Sequence, residues 1–187
     1  MRETEPLNCI SLKQGRTQVI AALTDPEKME TVYLSLNEAR DPIDVLMAST
    51  TMPFFATPQL CDGRIYYDAN IICAIPLRYL EKVEEIEETW VILTTPHGYR
   101  RQAWRWQMAS WFVKDRRIKK LLSNRAITEN QVLDEIERRS DLFVIRPERS
   151  LPIHWRDSSQ DGIKQAIELG RKAVRKTLTK RKETYGP

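Results

Sequence analysis

In Gln59-Leu60-Cys61-Asp62-Gly63-Arg64-Ile65-Tyr66-Tyr67-Asp68, an Asp-Gly pair separates two runs of strand-forming residues. A two-residue turn of type I′ needs φ > 0 at both central positions, which Asp tolerates and Gly adopts freely. The stretch therefore reads as a hairpin of residues 59–61 and 64–67. Asp68 falls just past the second strand, where a side chain projects from a rigid element into a loop.

Upstream, 17–24 and 31–36 read as strands forming a meander at a sheet edge. The second alternates Val32, Leu34 and Leu36 against Thr31, Tyr33 and Ser35, and Asp25-Pro26 starts the connection. Asp41-Pro42 then opens a helix, with Asp41 as N-cap and Pro42 at the first helical position, where its missing N–H costs nothing. Ile43, Leu46 and Met47 supply its apolar face, and Pro53 closes it.

Downstream, 91–93 and 142–145 are continuous apolar runs of strand length, as expected of parallel strands covered on both faces. Helix is expected between them, with Trp104, Met108, Trp111, Ile118 and Leu122 at helical spacing. Thr128-x-x-Gln131 reads as a capping box ahead of Val132, Leu133 and Ile136. A last helix over 163–178 carries Ile163, Ile167, Gly170, Val174 and Leu178 on one stripe. Strand and helix alternate, so the fold class is α/β, with neither an internal repeat nor an evident linker.

The 187 residues are 41% hydrophobic and 30% charged, with 6 Gly and 10 Pro, which fits one domain with its own core and excludes a disordered or collagen-like chain. The longest apolar run, 71–77, is far too short to cross a bilayer and contains Pro76. Glu3 and Glu5 interrupt any signal-like N-terminus, so the cytosol is the expected compartment, with peripheral membrane contact as a further expectation. Cys9, Cys61 and Cys73 have no C-x-x-C spacing, and His97 and His154 are isolated. Neither a metal nor a disulfide is expected, and the cysteines read as small buried hydrophobes. Charge is zoned: five glutamates against Lys82 over 81–88, eight bases against Asp115 over 100–120, and seven bases over 171–182.

Ala48-Ser49-Thr50-Thr51-Met52-Pro53-Phe54-Phe55, then Asp62-Gly63-Arg64-Ile65-Tyr66-Tyr67-Asp68-Ala69-Asn70 and Pro76, together resemble the second half of patatin-like phospholipases. That family carries an A-S-x-A-x-P-x-x-F segment, a D/N-G-x-x-Y turn and a D-G-G/A motif. Pro96-His97-Gly98-Tyr99-Arg100-Arg101, Phe143-Val144-Ile145-Arg146-Pro147, Leu151-Pro152-Ile153 and Glu168-Leu169-Gly170 are similar to the C-terminal extension of its bacterial branch, so the likeness covers about residues 15–178.

The resemblance implies a partial three-layer α/β fold, with residues 1–95 as the C-terminal part of the catalytic domain and 96–187 as a helical extension with one further strand packed on it. It also implies a cofactor-free hydrolase of lipid degradation, cleaving phospholipid or lysophospholipid acyl esters with a Ser-Asp dyad. In such a dyad the aspartate takes the proton of a serine on a G-x-S-x-G elbow, and a glycine-rich loop supplies the oxyanion donors. Asp68 corresponds to the dyad aspartate, and Ser49 to a family serine that is not the nucleophile.

The departures are specific. No two of the six glycines bracket a serine as G-x-S-x-G, and no glycine-rich oxyanion loop is present. Asp68 is followed by Ala69-Asn70, so the next residue bears a Cβ. The expectation is a chain that lacks the nucleophile half, is inactive alone, and has its serine supplied by another chain or its open edge covered by a homodimer. The alternative is a non-catalytic domain binding a lipid surface or a protein. Its motivation is the cluster of Trp104, Trp106 and Trp111 among Arg100, Arg101, Arg105, Lys114, Arg116 and Arg117. The plainer expectation puts Trp104 and Trp111 in the core and the cations on a solvated face. No nucleic-acid motif accompanies the bases, so nucleic acid is not an expected partner.

Overall fold

The computed structural model describes residues 7–53, 59–153 and 159–186; Phe54, Phe55 and His154 lie outside them. The chain is mixed α/β, with a four-stranded antiparallel sheet, a two-stranded parallel sheet and helices. It divides into two units, Met1–Pro76 with Arg101–Asn130, and Leu77–Arg100 with Gln131–Pro187.

The first unit begins with α1 (Cys9–Gln14), β1 (Ile20–Asp25) and β2 (Glu30–Ser35). β1 starts later than expected, because Asn37 holds the segment before it: its amide donates to Leu12 O and Thr17 O at 2.8 and 3.0 Å and accepts the Val19 N–H at 2.8 Å. Asp25 closes β1 by accepting the Glu27 and Lys28 N–H groups. Next come α2 (Pro42–Ser49), β3 (Gln59–Cys61) and β4 (Arg64–Asp68). Asp41 caps α2 through the Ile43 N–H at 2.9 Å. The helix stops short of Pro53, its end tapering as the Thr50 and Thr51 N–H groups turn onto Met47 O and Ala48 O.

Asp62 and Gly63 have φ of 49° and 79°, the conformation expected of the turn between β3 and β4. The sheet order is β2-β1-β4-β3, so β1 is interior and only β2 of the meander lies at an edge. Leu23, Leu36, Val45, Ala48, Cys61 and Tyr66 form a core on this sheet, with Val32 and Leu34 packed against it.

A 3-10 turn (Ala69–Ile71) follows β4, and α4 (Ala103–Ser110) and the start of α5 (Arg116–Arg138) complete the unit; α3 (Leu77–Leu80) and β5 (Thr89–Ile92) belong to the second. Ile71, Ile118 and Leu122 form another core cluster, with Met52, Tyr67, Trp106 and Val113 against it. α5 runs unbroken through the expected capping box. Thr128 Oγ1 donates back to Arg125 O at 3.0 Å, so its hydroxyl serves a helix interior instead of starting one.

In the second unit β5 pairs in parallel with β6 (Leu142–Ile145), Val91 opposite Val144, and Trp90 stacks on Phe143 with centroids 4.7 Å apart. Cover is incomplete, since Ile92 is 75% exposed. α6 (Gln160–Tyr185) corrects the expected stripe. Gly162, Ala173 and Thr177 face inward, with Thr177 Oγ1 donating to Val144 O at 3.2 Å, while Ile163, Ile167, Val174 and Leu178 are exposed. Small residues let the helix lie close to β6, leaving the larger aliphatics outside. The acidic stretch is tied to bases of the same unit, Glu81 to Arg139 at 2.5 Å and Glu88 to Arg181 at 2.8 Å. No helix among the described residues is long and apolar enough to cross a membrane.

Candidate functional site

Asp68 is held on three sides before its carboxylate is considered. It ends β4 opposite Leu23 of β1. Its N–H donates to Thr51 O at 2.8 Å, and its carbonyl accepts the hydroxyl of the fully buried Thr24 at 3.0 Å. The carboxylate then caps the 3-10 turn, Oδ1 accepting the Asn70 N–H at 2.8 Å. The turn is right-handed, so the Cβ of Ala69 brings no backbone strain, and Ala69 and Ile71 are buried beneath it.

Burial pushes the half-buried Asp68 carboxyl above the ordinary aspartate range, against the opposing pull of the Asn70 N–H and the Arg125 charge. A carboxylate raised in this way is a better proton acceptor than a solvated one. Among the described residues no donor reaches Oδ2, and the buried Asn70 Oδ1 also accepts nothing. Oδ2 is thus the unengaged acceptor of the carboxylate, and Asn70 Oδ1 a buried acceptor left without a partner beside it.

Arg125 was not singled out from the sequence. It is 5% exposed, and its guanidinium lies 3.7 Å from the centre of the Trp106 ring. Arg101 stands over the same ring at 5.6 Å and pairs with the buried Glu129. The Asn130 amide ties down the Arg101 backbone, accepting its N–H at 2.7 Å and donating to its carbonyl at 3.0 Å. The signal was present: Arg125 and Glu129 continue the stripe Ile118, Leu122, Ala126, and a charge on a core-facing stripe needs a partner.

The remaining candidates separate. Ser49 donates to Leu46 O at 2.8 Å, a bond within its own helix. Cys61 is buried, and burial with Asp44, Asp62 and Asp41 nearby pushes its thiol up, away from nucleophilic use. Cys9 and Cys73 are only half-buried, so the expected burial holds for Cys61 alone. His97 is exposed.

The expected burial of Trp104 and Trp111 is overturned. They are 58% and 72% exposed, with Met108 at 50% and Phe112 at 83%. Trp106 and Ser110 make the inward face of α4, and Ser123 Oγ lies 3.3 Å from Ser110 Oγ. Neither a family model nor a curated protein matches this chain.

Proposed function

We propose that this chain supplies the aspartate of a Ser-Asp acyl-ester hydrolase site acting on lipid-like esters, the serine and oxyanion donors coming from a polypeptide segment outside this sequence. The observation that supports it is the Asp68 turn: a rigidly held, half-buried carboxylate of raised pKa, with Oδ2 and the neighbouring Asn70 Oδ1 unengaged among the described residues. In that role Asp68 accepts the serine proton as the hydroxyl attacks the ester carbonyl. It returns the proton to the departing alkoxide, and the cycle repeats with water to release the acid. The Asn70 N–H and the Arg125 charge both pull the Asp68 pKa back against burial, which favours the proton-accepting form.

The test combines the purified chain with the polypeptide encoded immediately upstream of Met1, following hydrolysis of a short p-nitrophenyl ester and labelling by a fluorophosphonate. The chain alone should be unlabelled and inactive. The combination should hydrolyse the ester, and Asp68→Asn should lower that rate by about 10²–10⁴-fold. Labelling of this chain alone, a bound and folded partner without activity, or activity unchanged by Asp68→Asn would each overturn the proposal.

A further inference from the structure

α4 and the turn that ends it present large apolar side chains to solvent. Trp104 and Met108 stand one turn apart on the exposed face of the helix, and Trp111 and Phe112, in the turn that follows it, where the Trp111 N–H bonds to Met108 O, are more exposed still. The opposite face, Trp106 and Ser110, is packed, so the helix is anchored and the aromatic face is displayed. A contiguous exposed face of two indoles, a phenyl ring and a thioether marks a surface that meets something.

The charges around it indicate what. Arg105 lies against Trp104, its guanidinium 6.0 Å from the ring centre, and Lys114, Arg116, Lys119 and Lys120 follow Phe112 in the chain, all exposed. Asp115 is the one acid in residues 101–120, and it is already used by Arg117 at 3.3 Å and by the Arg117 N–H at 2.8 Å. No ion pair among the described residues engages Arg105, Lys114, Arg116, Lys119 or Lys120.

Two copies meeting through this face would set these cations against each other. An anionic bilayer suits both the apolar face and the cations, because indole rings settle at the headgroup level, Phe and Met enter the acyl boundary, and Lys and Arg extend to the phosphates.

We infer that the surface of Trp104 and Met108 on α4 and of Trp111 and Phe112 in the turn after it, with its flanking cations, docks this protein peripherally on anionic lipid. The inference stands on exposure and charge, independent of the Asp68 chemistry.

Vesicle co-sedimentation of the full chain tests it, using phosphatidylcholine vesicles with and without phosphatidylserine at low and high salt. Tryptophan quenching by brominated lipid serves as a second readout. Binding should require phosphatidylserine, fade with salt, and quench the exposed indoles. Trp111→Ala with Phe112→Ala, checked for native circular dichroism, should weaken binding at least about ten-fold. Asp68→Asn should bind as the parent does. Absence of binding to anionic vesicles at low salt, full binding by the folded double variant, or an oligomer that the double variant converts to monomer would overturn the inference.

Discussion

The Arg125 guanidinium lies 3.7 Å from the centre of the Trp106 ring, placing a buried cation and an indole in contact within the same unit as Asp68. The contact defines which way α4 faces, and adjacent tryptophans should therefore respond oppositely. Trp106→Ala should destabilise the protein by about 3 kcal/mol through lost packing and an exposed guanidinium. Trp104→Ala, on the open face, should stay within about 0.5 kcal/mol. Equilibrium urea unfolding of the two variants checks this; a larger loss for Trp104→Ala than for Trp106→Ala would mean α4 is turned the other way.

Asp68 should leave a mark on the pH dependence of stability. Its folded pKa lies above the unfolded value of 3.8, so the native state binds the proton more tightly and stability contributed here falls as pH rises through that interval. Asp68→Asn keeps a capping oxygen and removes the titration. The variant should gain on the parent as pH rises above 3.8, with the two converging below it. Arg125→Gln, which removes one of the two influences holding the folded pKa down, should extend the interval upward. Unfolding midpoints measured across pH report both.

Glu137 works in the opposite sense. Arg100 and Arg146 donate to it, at 2.7 and 2.9 Å, as does the Gly98 N–H at 3.0 Å, and they lower its pKa from 4.5 to about 2. Its stabilisation is complete above pH 4.5 and disappears as pH falls through about 2. Glu137→Gln should cost about 1–3 kcal/mol at neutral pH by weakening the bonds of two guanidiniums. The same variant should unfold with a shallower acid limb, which circular dichroism between neutral pH and pH 2 would follow.

Two glycines should respond with opposite signs. Gly63 has φ of 79°, and a Cβ added there would meet nothing within 4 Å, so the cost of Gly63→Ala is conformational, about 1 kcal/mol. Gly170 is within α6 and also faces open space, so Gly170→Ala should stabilise by roughly 0.5–1 kcal/mol. Thermal melts of both variants would decide it.

Local chemistry made much of the fold readable. Asp62-Gly63 dictates the turn before Asp68, Asp41-Pro42 dictates where α2 begins, and two uninterrupted apolar runs become the parallel pair of β5 and β6. Each depends on a residue's own φ, hydrogen-bonding groups or burial preference, with little contribution from distant parts of the chain. The position of Asp68 at the end of β4 follows from the same turn.

Orientation was not readable in this way. The spacing of Trp104, Met108 and Trp111, or of Ile163, Ile167, Val174 and Leu178, says which side chains share a face of a helix, and hydrophobicity then points that face inward. Both sets are exposed instead, because Trp106 and Ser110, and Gly162, Ala173 and Thr177, occupy the packed faces. The 3.6-residue period is a property of one helix, whereas the face that is buried depends on the shape of the surface it meets. The influence of Arg125 on Asp68 belongs to the same class, joining residues far apart in the chain that no local pattern connects. Turns, caps and strand runs are written in neighbouring residues; the facing of α4 and α6 and the electrostatic setting of Asp68 arise only when distant segments pack together.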